Sequence, residues 1–250
     1  MRIVTYNFLR AGSLKRCGHW SRVIRNLKPD LVLAQECRPH QSSPRERFRH
    51  DDHDAFAWQP AGSRDWGSGL LGRSVSLIPI AIPDFDGWVV GGEIRNTSWS
   101  ARHLIVFSIH GPVGERGYIR AMHGILDRIA PLRDRAELVL GGDFNVAVGY
   151  RQPCDQIRIL RSERDVLDRL TKEFNLVSCW QAANPNRPLA QTLRWMGNPR
   201  APYHCDGIFV PRTWLPRLKS CRVVRGSRWS RLSDHNPVLA DFHSSTIGMP

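Results

Sequence analysis

The chain has 250 residues, 41% hydrophobic and 24% charged, the proportions of a globular protein with one sizeable core rather than of a disordered or membrane-embedded polypeptide. Thirty-six Lys and Arg against 23 Asp and Glu leave a formal charge of +13, which points to a polyanionic partner, either nucleic acid or an anionic membrane surface. The lysines are Lys15, Lys28, Lys172 and Lys219, so the excess is nearly all Arg, which a compositional bias of the source genome would also produce.

From Met1 to Asn7 the chain enters a strand-like run directly, without the longer apolar region of a signal peptide, and no stretch is long enough to span a bilayer. Cys17, Cys37, Cys154, Cys179, Cys205 and Cys221 are scattered, with no C-x-x-C spacing, and read as reduced packing residues rather than a disulfide frame or zinc site. The expectation is a cytoplasmic monomer, one domain over residues 1–250, with no stable protein partner and no membrane association.

Arg2 to Asn7 has strand character, with Asn7 at its far end. Trp20, Val23, Ile24 and Leu27 recur at helical spacing before Pro29, and Leu31 to Ala34 form a second apolar strand followed by Gln35-Glu36. Strand, helix, strand implies a crossover unit, which places Asn7 beside Glu36. Pro39 to Gly69 is polar and aperiodic and reads as a long surface connection; within it, His50-Asp51-Asp52-His53-Asp54 reads as a solvated loop. Gly69 to Ile82 turns strand-like, with the basic Arg73 in its middle as a candidate substrate contact.

Arg102 to Ile109 is a strand that delivers His110 into Gly111-Pro112. Ile119, Met122, Ile125, Leu126 and Ile129 make an amphipathic helix that Pro131 helps to close. Leu138-Val139-Leu140 reads as the end of a buried strand that Gly141-Gly142 break, after which Asp143 and Asn145, one residue apart, would point the same way if extended. A carboxylate to accept a water's proton and an amide to donate to an oxyanion would then share the mouth of a sheet. Ser162 to Asp165 starts a helix with Val166, Leu167, Leu170 and Phe174 on its buried face; Cys205 to Val210 and Val238 to Phe242 are the last two strands.

Asn7, Glu36, His110, Asp143 with Asn145, Asp206, and Asp234 with His235 all fall at or beside the boundary of an apolar strand. Loops at one sheet edge are where catalytic groups gather. A glutamate beside an asparagine supplies the hard oxygen ligands that Mg2+ prefers. Two histidines offer donors to phosphoryl oxygens, an aspartate paired with one of them fixes its tautomer, and Asp143 remains to orient water. This is a toolkit for metal-assisted hydrolysis of a phosphoester.

Thr5-Tyr6-Asn7, Gln35-Glu36, Ser108-Ile109-His110, Gly142-Asp143-Phe144-Asn145, Asp206-Gly207-Ile208-Phe209-Val210 and Ser233-Asp234-His235 resemble, in order, the signature blocks of the endonuclease/exonuclease/phosphatase (DNase I-like) superfamily. The resemblance implies a four-layer α/β sandwich, two mixed β-sheets packed face to face with helices outside. It implies Glu36 as principal metal ligand, aided by Asn7 and Asp234. Asp143 and Asn145 would position water and phosphate, His235 would contact the phosphate while held by Asp206, and His110 would bind it from the other side. It also implies a Mg2+ requirement, with Mn2+ as substitute. Abasic-site endonucleases carry an acidic residue where this chain has Leu9, and usually an Arg where it has His204, departures that weaken assignment to that subfamily and leave the general phosphodiesterase mechanism intact.

Between Arg212 and Arg231 every charged residue is basic, with Trp214 and Trp229 interleaved. This reads either as a groove wall that tracks a sugar-phosphate backbone, with Arg231 nearest the His235 motif, or as a solvated Arg-rich face over two buried tryptophans. Arg194 and Trp195, just ahead of Asp206, are candidates to meet a nucleotide, Trp195 being equally a candidate for the core. The function expected is a Mg2+-dependent nuclease or phosphodiesterase. The alternatives are a phosphatase for inositol phosphates or lipid headgroups, and a catalytically silent binding module of the same fold.

Overall fold

The computed structural model describes residues 1–11, 18–39, 54–95, 97–100, 102–113, 117–150, 159–195 and 203–243. Two parallel crossover units form its centre. In the first, β1 (Arg2–Ala11), α1 (His19–Leu27) and β2 (Leu31–Cys37) place Asn7 opposite Gln35. In the second, β7 (Leu104–His110), α2 (Gly117–Ile129) and β8 (Glu137–Asp143) place His110 opposite Asp143. Each pair lies inside a six-stranded mixed sheet. The first sheet also contains β3 (Ala55–Pro60), β4 (Gly67–Gly72), β11 (Leu218–Val223) and β12 (Val238–Phe242), in the order β11-β12-β1-β2-β4-β3. The second adds β5 (Ser76–Ile80), β6 (Val89–Arg95), β9 (Leu176–Ser178) and β10 (Asp206–Pro211), in the order β5-β6-β7-β8-β10-β9.

The alternation of side chains along a strand gives each sheet two buried faces. Inward residues such as Ile3, Leu31, Leu33, Val106, Val139, Ile208 and Val238 form the core between the sheets. Outward residues Tyr6 and Phe8 pack under α1 against Trp20 and Trp229, and Phe107 and Leu140 pack under α2 and α3 (Arg161–Asp168), while the short α4 (Cys179–Ala183) follows β9. Met122, Ile125, Leu126 and Ile129 of α2 are fully buried at helical spacing, and each such side chain stabilises the fold by about 1.5 to 3 kcal/mol. Helices therefore cover both outer faces, which is the expected four-layer sandwich.

One polar chain crosses the apolar interior. Thr5 Oγ1 donates to Gln35 Oε1 (3.2 Å), Gln35 Nε2 to Ser108 Oγ (2.9 Å), and Ser108 Oγ to the Ala34 carbonyl (3.0 Å). All three side chains are buried, so the bonds fix how the two sheets sit beside each other just below Asn7, Glu36 and His110.

Several expectations need correction. The segment from Pro39 to Gly69 is not one long connection, because β3 and the start of β4 lie within it. Residues 40–53, including His50 to His53, are outside the described residues. Gly141 and Gly142 do not break β8 but lie inside its ladder, Gly142 pairing with Ile109 on one side and Gly207 on the other. They are glycine because of close approach: a Cβ on Gly141 would lie 2.5 Å from Leu33 Cδ1, and one on Gly142 1.7 Å from the Ile109 carbonyl oxygen. The stretch from Arg212 to Arg231 is not one wall. Its start is a 3-10 helix, Arg212–Arg217, at the end of β10 remote from Asp206, whereas α5 (Ser227–Ser230) follows β11 at the opposite edge. Trp214 and Trp229 are buried core residues rather than stacking platforms. The cysteines described, Cys37, Cys179, Cys205 and Cys221, are buried and unpaired.

Candidate active site

The parallel strands β1, β2, β7 and β8 all end at one edge of the sandwich, and β10 and β12 begin there. That topology alone gathers Asn7, Glu36, His110, Asp143, Asp206 and His235, although they are far apart in sequence. Asn7 ties the two sheets: its Nδ2 donates to Asp143 Oδ2 (3.0 Å) and Glu36 Oε1 (3.3 Å), while its Oδ1 accepts from the Leu9 amide (2.9 Å). His110 Nε2 lies 3.6 Å from Glu36 Oε1 and 3.9 Å from Asp143 Oδ2. From the other side His235 Nε2 comes within 3.7 Å of Asp143 Oδ2 and 3.9 Å of Asp234 Oδ1, while its Nδ1 is hydrogen-bonded to both oxygens of Asp206 (2.9 and 3.0 Å). Asp143 is thus the hub, reached by the Asn7 side-chain amide, the Asn145 backbone amide and two imidazoles.

Burial and charge set different protonation states for the two imidazoles. Burial works against the charged form of His235, but Asp206 and Asp143 outweigh it and push its pKa up to about 10, so the ring is cationic at neutral pH. Burial dominates at His110, whose pKa falls to about 4 despite the attraction of Asp143, so that ring is neutral. Burial also raises the pKa of Asp143, with His235 opposing it and Asp206 adding to it. Glu36 is raised mainly by burial too, against the Asn7 hydrogen bond. The backbone is unusual at the same edge: Leu9, Arg10, Glu36 and Asn145 have φ between 45° and 57° without being glycine. Such left-handed residues persist where the surrounding structure holds them, commonly at functional sites.

The donor set accommodates a hard divalent cation at Glu36. Among the described residues, Glu36 Oε2 is buried and accepts no hydrogen bond, and Arg10 Nε lies 3.5 Å away on a side chain that is mostly exposed. Asp234 is about one-third exposed, and its Oδ1 lies 3.9 Å from His235 Nε2. Asp143, Cys205, Asp206 and His235 also bring ligand-type atoms within 4.8 Å of one another. There, however, His235 Nδ1 is committed to Asp206, and burial together with the neighbouring carboxylates keeps the Cys205 thiol protonated. A hydrogen-bonded set is the better description of that group.

The remaining sequence candidates divide. Asn145 is not extended: its φ is 53°, its amide N–H donates to Asp143 Oδ1 (3.0 Å), and its Nδ2 donates to the Gly111 carbonyl (2.8 Å). It therefore braces Asp143 rather than standing beside it as a parallel donor. Arg73 is not brought to the site: it follows Gly72, which pairs with Leu31 at the opposite end of β2 from Glu36, and it is paired with Asp54 (3.6 Å). Trp195 is half-exposed and faces Tyr203 with ring centroids 6.1 Å apart, beside the Leu193–His235 bridge. Arg231 is exposed and lines a cleft with Arg22, Arg25 and Arg228.

Arg194 is engaged within the protein. Its guanidinium donates to the Ser233 and His235 carbonyls and to Asn236 Oδ1, and so clamps the loop that carries Asp234 and His235. We expect Arg194→Ala to lower stability by about 1 to 3 kcal/mol through these unsatisfied acceptors. Turnover should fall with substrate KM little changed. A change in KM alone, measured with the melting temperature, would show contact with substrate instead.

Sequence reasoning missed the wall beside His110. Trp66 and Trp88 flank that ring at centroid distances of 5.9 and 5.1 Å, and the Arg64 guanidinium lies over both indoles at 5.2 and 4.9 Å. Arg10 lies over Trp66 at 5.7 Å. Trp66 precedes β4 and Trp88 precedes β6, so the signal was a tryptophan at a strand start rather than a polar residue at a strand end.

No family model matches this sequence, and no curated protein matches it. Solved structures do. The 3′ phosphatase NExo from Neisseria, in a variant bound to product DNA hairpin, superposes with a TM-score of 0.71 at 19% identity, covering 98% of this chain and 100% of that one. An AP endonuclease from Archaeoglobus fulgidus gives 0.67 at 16% identity over 98% and 100%. The endonuclease domain of TRAS1, a telomere-specific non-LTR retrotransposon, gives 0.65 at 15% identity over 98% and 99%. The chain has the fold of the DNase I-like endonuclease/exonuclease/phosphatase superfamily.

Proposed function

We propose that the protein is a Mg2+-dependent phosphodiesterase that hydrolyses nucleic acid. The observation that carries this reading is the convergence of Asp143, His235, His110 and Glu36 at one sheet edge, with Glu36 Oε2 buried and unsatisfied among the described residues. Asp143, fixed by the amides of Asn7 and Asn145, accepts the proton of a water as its oxygen bonds to phosphorus. The raised pKa that burial gives this carboxylate makes it a stronger base than an exposed aspartate. His235, cationic and locked by Asp206, donates from Nε2 to a phosphoryl oxygen. Neutral His110 donates from the opposite side. The bond from phosphorus to the leaving sugar oxygen breaks, and solvent protonates that oxygen. When bound at Glu36 and Asp234, Mg2+ (or Mn2+ in its place) supplies neutralisation of the phosphoryl charge.

A nucleic-acid substrate is supported by the +13 charge, by the half-exposed Trp195 and Tyr203, and by the Arg64, Trp66 and Trp88 wall. The DNA-bound state of the Neisseria 3′ phosphatase of this fold agrees with that choice. Hydrolysis of DNA, RNA and an inositol phosphate, each with Mg2+ and with EDTA, tests it. We expect nucleic-acid hydrolysis to drop at least about a hundredfold in EDTA and to return with Mg2+ or Mn2+. Preferential inositol-phosphate hydrolysis would replace the substrate, and no hydrolysis of any of the three would leave a binding module. Mg2+ should also raise the melting temperature of the wild type more than that of Glu36→Gln.

A further inference from the structure

Outside the catalytic edge, a cleft of about 660 Å³ lies between α1 and α5 on the outer side of the first sheet. Among the described residues, Arg22, Arg25, Arg228 and Arg231 line it together with Gly18, Ser21, Asn26 and Ser227, none of them acidic. Two of these guanidiniums hold the cleft together through neutral acceptors: Arg22 Nη1 donates to the Arg228 carbonyl (3.3 Å) and Arg228 Nη1 to Asn26 Oδ1 (3.2 Å). Neutral acceptors orient a guanidinium without cancelling its charge, so Arg22 and Arg228 keep their positive field in the cleft. The framework beneath is rigid. Trp229 of α5 is buried against Tyr6, with ring centroids 5.7 Å apart, and His19 Nε2 meets the Leu232 carbonyl at 2.9 Å.

We infer that this four-arginine cleft is an exosite for the phosphate backbone of a nucleic-acid strand, one that holds the strand beyond the catalytic edge. The inference rests on the proposed nuclease reading and deepens it. The position favours a continuous strand: α5 runs directly into Leu232 and the Asp234–His235 loop, and Gly18, at the start of α1, lies at the same edge as the end of β1. From there the cleft extends along α1 through Arg22 to Arg25 and Asn26, away from the scissile position. Planar guanidinium forks match phosphate oxygens bidentately, and their spread over two helices suits several successive phosphates better than one small anion. The concave shape presents arginines to a rod-like polyanion, where a flat bilayer would touch only the rim.

The test uses the triple variant Arg22→Gln/Arg25→Gln/Arg228→Gln and the matching Arg→Lys variant. Binding is read by fluorescence anisotropy in EDTA, for a long duplex and for a dinucleotide confined to the catalytic edge, across a salt series. We expect the Gln variant to bind the long duplex at least about tenfold more weakly, with the slope of log K against log salt reduced by about 2 to 3. Hydrolysis of the dinucleotide with Mg2+ should be unchanged, and the Lys variant should restore most of the slope. An unchanged affinity and slope for the duplex would overturn the exosite, as would equal weakening of duplex and dinucleotide. Loss of binding to polyglutamate with duplex binding intact would overturn it in favour of an acidic protein partner. If the wild type binds duplex with this slope but hydrolyses no phosphodiester, the nuclease reading fails and the exosite stands.

Discussion

Asp143→Asn reduces turnover at least about a hundredfold and leaves the fold intact, because it removes the one carboxylate that both imidazoles and the Asn7 amide address. The amide is nearly isosteric, and an oxygen retained at Oδ1 still accepts from the Asn145 N–H. The new NH2 group opposes the Asn7 NH2, a lost hydrogen bond of about 1 kcal/mol. Removing the charge offsets this. An acid whose folded pKa lies above its unfolded value destabilises the fold once pH exceeds the unfolded value, and Asp143 and Glu36 are both shifted in that direction. The attraction lost by His235 opposes the gain, but Asp206 still holds that ring. A melting temperature within a few degrees of the wild type, alongside the kinetic loss, is therefore the expected pair of readings. Turnover within tenfold of the wild type would remove Asp143 from the proton transfer. His235→Ala should lose a comparable factor, since it deletes a cationic donor rather than a base.

The parts of this site that could be read from the sequence are those that follow from strand order. A crossover unit places both strand ends on one edge, so Asn7 beside Glu36 was implied by alternating apolar and amphipathic segments alone, and the same rule accounts for His110 beside Asp143 once the second unit is seen. The segments that resisted reading lack that signal. In β3 the half-buried run Ala55–Pro60 is flanked by polar sequence, and in β4 the buried residues Gly67, Ser68 and Gly69 carry no apolar side chain. Glycines inside a ladder look in sequence like glycines in a turn, which is why Gly141-Gly142 read as a break. Arg194 and the half-buried Arg73 show a different limit. Composition marks both as phosphate ligands, whereas their positions make one a loop clamp and put the other at the far end of the first sheet. Asn145 illustrates the same point at short range, since a left-handed backbone reverses the side-chain direction that an extended reading assumes.

The largest expected effect on stability comes from a methyl group. Gly142 pairs with Ile109 on its parallel side and Gly207 on its antiparallel side, one residue before Asp143. A Cβ there would lie 1.7 Å from the Ile109 oxygen and 2.9 Å from its nitrogen, and neither atom can move without opening the β7–β8 ladder. Gly142→Ala should therefore cost about 3 to 5 kcal/mol, since relief requires a backbone shift rather than a rotamer change. The same shift displaces His110 against Asp143, so activity should fall further than the folded fraction does. Gly117→Ala shows the cost of backbone preference without crowding, whereas Gly142, at φ +157°, carries both. Gly117 has φ +74°, with nothing within 4 Å of an added Cβ, and should cost only about 1 kcal/mol. Urea unfolding of the two variants beside the wild type measures the difference. Equal losses in both would mean that the central ladder yields at Gly142, and that the spacing of His110 and Asp143 does not depend on the missing side chain.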